Sequence, residues 1–203
     1  MKAMKKAFTI SALVAALAIT GCNSTSSPSS AAEDAMTNKA GIIEGAKVYA
    51  LVNLHADAAN NRLHAMNYQL PKLMPICSEF VIDDIETKII EMSHKGMKYT
   101  YLWDKYTKNA GQSLNANFAL FFGKSCDEAK AKVSTLSDID QKGIKRGKPI
   151  LGMSKEAVLL AMGRPPIHAT PDLEGDLWTY WVNRWARNVL EFDEAGKLKH
   201  IEK

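Results

Sequence analysis

Little in this chain points to catalysis. It has no Gly-x-Ser-x-Gly elbow to expose a nucleophile and no glycine-rich loop to cradle phosphate. Metal ligands are sparse too. His55 and His64 lie nine apart without a Cys, a Glu or a third His at ligand spacing, and His94 sits among turn residues. A zinc site needs three or four convergent ligands, so no metal and no cofactor is expected. Asp83-Asp84, Asp138/Asp140 and Asp172/Glu174/Asp176 are paired carboxylates, but each falls at a turn or helix start, where capping favours them. Charge of one sign is lacking as well. Setting aside Lys2, Lys5 and Lys6, 23 basic residues face 22 acidic ones, which gives no ground for a nucleic-acid partner. After the N-terminal apolar run no second one is long enough to predict a transmembrane helix.

What is present begins at the N-terminus. Lys2, Lys5 and Lys6 precede a nearly continuous apolar stretch from Ala7 to Ile19, thirteen residues long. That is the length of a signal-peptide core and short of the roughly 20 residues that cross a bilayer. The run ends in Ile19-Thr20-Gly21-Cys22, which resembles the lipobox of bacterial lipoprotein precursors, with Ile in place of the usual Leu. The resemblance implies removal of residues 1–21, diacylglycerol on the Cys22 thiol, and often a further palmitate-type chain on the new amino group. An ordinary secretory signal that happens to hold a cysteine is the alternative. Asn23 stands where lipoproteins retained at the inner membrane carry Asp, so the resemblance implies an outer-membrane anchor facing the periplasm. The Ser-rich stretch Asn23 to Ala32 has no apolar periodicity, and residues 22–45 are expected to act as a flexible tether.

With Cys22 lipidated, Cys77 and Cys126 remain. In an oxidising compartment the pair is most simply a disulfide, two buried thiols being the alternative. The chain also changes character near residue 125. Within 46–125, Val48, Ala50, Val52 and Leu54 alternate, as do Phe80 and Ile82, and then Met97, Tyr99, Tyr101 and Trp103. With turn signals at Asp83-Asp84 and Ser93–Gly96, this predicts a meander of three strands inside a small β-rich module of open-barrel type. Ser113–Phe122 reads as helix in its first half. Within 126–203, Asp127–Leu136 is a short amphipathic helix, Ser137 and Ser154 are N-caps, and Gly163 with Pro165-Pro166 stops the second capped helix. Leu177–Arg184, Ala186–Phe192 and Lys197–Ile201 read as three antiparallel strands. The expected class is α+β, the β-rich module preceding a unit of two helices over a three-stranded sheet.

Those last residues carry a second resemblance. Gly152-Met153-Ser154, Val158, Met162-Gly163 and Pro165, followed by Trp178-x-Tyr180, Leu190-x-Phe192-Asp193, Gly196, Leu198 and Ile201, resemble the SmpA/OmlA (BamE-like) family. Residues 137–203 carry it. The family contains outer-membrane lipoproteins with a helix-helix-sheet fold, among them a component of the β-barrel assembly machinery, and its members bind other proteins or the envelope. Two departures limit the inference: Lys148–Leu151 lengthens the approach to Gly152, and residues 46–122 have no counterpart in the small family member of that machinery.

Trp178, Tyr180, Trp181 and Trp185 fall within eight residues, accompanied by Arg184 and Arg187. The resemblance implies that Trp178 and Tyr180 are core. Trp181, Arg184, Trp185 and Arg187 are then the partner-binding candidates, since Trp, Tyr and Arg dominate binding hot spots; burial of all four aromatic residues beneath the first module or the loop Ile167–Gly175 is the alternative. The expected function is a non-enzymatic scaffold, held at the membrane by lipid, whose partners are envelope proteins such as the β-barrel assembly machinery. The competing reading gives the β-rich module the active part, as a binder of a small molecule, peptidoglycan or a hostile enzyme.

Overall fold

The computed structural model describes residues 42–203. The signal segment, Cys22 and most of the tether lie outside the described residues. The rest is α+β. The strands are β1 (Lys47–Ala50), β2 (Leu54–Ala56), β3 (Arg62–His64), β4 (Lys72–Met74), β5 (Glu79–Ile85), β6 (Ile89–His94), β7 (Met97–Leu102), β8 (Phe122–Gly123), β9 (Leu177–Trp181), β10 (Arg187–Phe192) and β11 (Leu198–Glu202). Five helices are described: α1 (Lys105–Asn109), α2 (Leu114–Phe118), α3 (Asp127–Thr135), α4 (Asp138–Arg146) and α5 (Lys155–Met162).

The first unit is a curled sheet of six strands in the order β3-β7-β6-β5-β1-β8. Its centre is the meander β5-β6-β7, whose alternation puts Phe80, Ile82, Ile90, Met92, Tyr99 and Tyr101 on one buried face. Lys95 (φ 49°) and Gly96 (φ 77°) make the two-residue turn between β6 and β7, where both central residues need positive φ. Aromatic rings meet edge to face across the core: Phe80 with Tyr99 and with Phe122 at 5.5 Å, Tyr101 with Phe118 at 5.1 Å. Helix α2, capped by Ser113, supplies Leu114 and Phe118 to this core. The strand expected to run from Val48 to Leu54 breaks after Ala50. Leu54 belongs instead to β2, which pairs with β4 in a separate two-stranded ribbon.

The second unit lays α4 and α5 on the sheet β11-β10-β9. Ser137 and Ser154 cap the two helices, their hydroxyls accepting from Asp140 N–H and Ala157 N–H. Asp140, only 2 % exposed, joins the helices. Its carboxylate accepts from Ser137 Oγ (2.7 Å), Ser154 N (2.8 Å) and Ser154 Oγ (3.3 Å). Beneath them Trp178, Tyr180, Leu190, Phe192 and Leu198 form the sheet's buried face. The disulfide is formed: Cys77 bonds to Cys126 with a Cα–Cα distance of 5.4 Å, tying the end of the β4–β5 connection to the start of α3.

The two units meet at the C-terminus of α5. A helix leaves its last carbonyls without partners inside the helix, and here the first unit satisfies three of them. Leu160 O accepts from Asn53 N–H (2.8 Å), Ala161 O bonds His55 Nε2 (3.2 Å), and Met162 O accepts from Asn67 Nδ2 (2.7 Å) and Gln69 Nε2 (3.1 Å). Asn53 also donates to Ile144 O (2.6 Å), while its Oδ1 accepts from Ile76 N–H (3.0 Å). Gly163 makes the closeness possible. Its φ is 73°, and a Cβ there would lie 2.8 Å from Phe121 Cε1 and 2.9 Å from Asn67 Nδ2.

Candidate functional site

The aromatic cluster divides three ways. Trp178 and Tyr180, 1 % and 0 % exposed, alternate inward along β9; the Trp178 ring packs against Phe192, and Tyr180 donates its hydroxyl hydrogen to Gly163 O. Trp181 ends the strand and is half-buried. Its carbonyl accepts from Gln69 N–H (2.8 Å), and its indole Nε1 is buried without a partner. Trp185 is 80 % exposed.

Strand β9 was expected to run to Arg184, and it stops at Trp181 for a local reason. The Asn183 side-chain oxygen accepts from Trp185 N–H (2.8 Å) and Ala186 N–H (3.0 Å), and Val182 N–H closes onto Ala186 O (2.8 Å). An Asn side chain that takes up two backbone donors competes directly with a strand ladder. Trp185 therefore stands at the tip of the β9–β10 hairpin rather than on a sheet face. The guanidinium of Arg184 lies 4.7 Å from the centre of the Trp185 ring, a cation–π pair in solvent. Arg187, also exposed, begins β10 opposite Trp181.

Further aromatic residues link the two units, and nothing in their local sequence marked them. Tyr106, at the start of α1, is 47 % exposed and stacks on His168 with ring centres 5.4 Å apart. Burial raises the Tyr68 phenol above its ordinary value; Asp104 and Tyr106 add to the rise and Arg184 opposes it. Tyr68 thus lies within electrostatic reach of both Tyr106 and Arg184. Tyr106 and His168 thus stack across the two units, and Arg184 acts electrostatically on Tyr68. These residues come from four separate loops and helix ends, so no spacing rule could have gathered them.

The free edge of β9 is partly covered. Thr179 N–H donates to Thr170 Oγ1 (2.9 Å), and Gln69 N–H takes the carbonyl of Trp181.

His55, His64 and His94 are held by contacts within the fold. Burial lowers His55 below its ordinary value, partly offset by hydrogen bonds to the carbonyls of Ala161 and Leu70. Burial lowers His64 as well, against the pull of Asp57 and Asp104, and its ring packs edge-on to Tyr68. Nδ1 of His94 bonds Glu79 O at 2.6 Å. Among the described residues no group of three or more His, Cys, Asp or Glu could hold a metal ion, and no helix is long and apolar enough to cross a membrane. An apolar groove of about 560 Å³ lies between the β1/β8 edge and α3, lined by Leu51, Val52, Phe122, Ala129 and Leu160. Searches of family models, curated proteins and solved structures find no match to this chain.

Proposed function

We propose that this protein is a lipoprotein of the outer membrane, exported, cut before Cys22 and acylated there, which works as a non-enzymatic adaptor for another envelope protein. One observation carries the adaptor reading: an indole four-fifths exposed, held at a hairpin tip by Asn183 and covered on one face by Arg184. An exposed Trp costs solubility and is favoured where a partner covers it. Arg184 and Arg187 add two cations that make no ion pair among the described residues, so a partner with an apolar pocket and an acidic rim fits the tip.

Two further observations support the setting. The disulfide suits an oxidising compartment and leaves Cys22 as the single remaining cysteine. The capped helices over a three-stranded antiparallel sheet agree with the SmpA/OmlA-like layout expected of residues 137–203. Affinity capture with a tagged chain, in parallel with Trp185→Ala, tests the reading. Recovery of barrel-assembly components or another single envelope protein, lost in the variant, supports it. Capture unchanged by the variant removes the tip from the interface. Mass spectrometry of the mature protein tests the anchor: a chain starting at any residue other than an acylated Cys22 overturns the localisation.

A further inference from the structure

A second cavity opens where the helical layer ends before the sheet does. Helix α4 stops at Arg146 and α5 at Met162, while the buried face of the sheet continues through Asn188 and Ile201, and Val182 lies just beyond β9. The first unit closes the gap with the β2–β4 ribbon and the loop before it. Gly147, at φ 61°, ends α4 directly against that ribbon: a Cβ there would lie 2.4 Å from Leu73 Cδ1 and 3.3 Å from His55 Cε1. What remains is about 560 Å³, within the roughly 300–1,000 Å³ of small-molecule sites, which favour such interfaces between units.

The chemistry of the walls is one-sided. Leu70, Leu73, Met162, Val182 and Ile201 supply apolar surface. The charged side chains are Arg146, Lys148 and Lys203, and no Asp or Glu side chain joins them. Arg146 and Lys148 make no ion pair among the described residues. A cation in the last turn of a helix answers the helix dipole, which accounts for Arg146. It does not account for Lys148, which lies past the left-handed Gly147, outside the helix, and near enough to His55 to act on its ring.

We propose that this cavity binds a small organic anion with an apolar body, a carboxylate or phosphate ester whose charge meets Arg146 and Lys148 and whose hydrocarbon part lies against Leu70, Leu73, Val182 and Ile201. Both cations are exposed at the rim, so the headgroup stays partly hydrated while the apolar part leaves water.

Calorimetric titration of the oxidised full chain with octanoate, octyl phosphate and octanol, each against a detergent-only blank, tests this. Both anions are expected to saturate at one per chain, and octanol to bind at least roughly tenfold more weakly. The ratio of octanoate to octyl phosphate identifies the headgroup class. Arg146→Gln combined with Lys148→Gln is expected to weaken the anions by a similar factor and to lower the urea midpoint only slightly, through the lost helix-dipole contact of Arg146. Val182→Trp, which fills the apolar wall, is expected to block all three. Equal binding of octanol and the anions, wild-type affinity in the double variant, or no saturation below about 10 mM would each overturn the proposal.

Discussion

At the seam between the two units, Asn53, His55 and Asn67 are buried, and each holds a backbone carbonyl of the helical layer. At the tip of the β9–β10 hairpin, an indole that could have been buried stands in water. The two places invert the usual assignment of polar and apolar groups, and they do so for different reasons. A buried amide is tolerated where it meets a group that would otherwise be left unpaired, so the seam's polar residues are explained by the fold. Nothing within the fold accounts for Trp185. The contrast separates an anomaly that the fold explains from one that it leaves open.

The largest test of that contrast is the covalent tie across the seam. Cys77→Ser is expected to lower stability by about 4 kcal/mol in the chain-entropy description of a loop this long. Urea unfolding with and without reductant checks it: the deficit should be present under oxidising conditions and vanish when both proteins are reduced. Next comes Asn53→Leu, which strips partners from Ile144 O and Ile76 N–H and is expected to cost about 2–4 kcal/mol. A loss below about 0.5 kcal/mol would mean the seam's polar groups are not structural, and the comparison would collapse.

Acid should act on the seam before it acts on the helix pair. Burial holds His55 and His64 below the ordinary histidine value of 6.5, so the unfolded chain takes up protons first as pH falls. Stability is therefore complete above about pH 6.5 and declines on acidification through the range between the unfolded and folded values. His55→Gln should flatten the urea midpoint between pH 7 and 5. Asp140 titrates lower. Its burial works to raise the carboxyl, but hydrogen bonds from Ser154 and Ser137 outweigh that and hold it below 3.8. Its contribution is present above that value and lost only as pH falls further. The smallest expected effect on stability is at the tip. Trp185→Ala should move the urea midpoint by less than about 0.5 kcal/mol while weakening partner capture by an order of magnitude or more. A large stability loss there would reclassify Trp185 as core.

Much of the architecture was legible because it rests on local periodicity. The alternation of Phe80/Ile82 and Tyr99/Tyr101 marks β5 and β7, and Ser137, Ser154 and Gly163 bound helices through backbone chemistry that each residue type carries with it. The disulfide followed from counting cysteines. The parallel pairing of β3 with β7 and the β2–β4 ribbon were not legible, since strands of three residues carry too little pattern to show a face. Neither was the seam. Asn53, Asn67 and Gln69 read as ordinary loop residues until the end of α5 is placed beside them. At the candidate site, Arg184, Trp185 and Arg187 were legible as residue types, but the exposure of Trp185 depends on how Asn183 folds its own turn. Tyr68, Tyr106 and His168 join only through tertiary structure.

The partly covered margins of the small sheet limit how a strand can attach to it. On one side the Thr170 hydroxyl and the Gln69 amide already occupy β9. On the other, Gly152 and Met153 pair with Leu198, and the remainder of β11 shows Lys199, His200 and Glu202 to solvent. A visiting extended peptide would find few main-chain groups to zip onto, and neighbouring copies have little means of stacking edge to edge. A partner protein at the hairpin would therefore be met by side chains projecting from the turn, a small footprint sensitive to single substitutions.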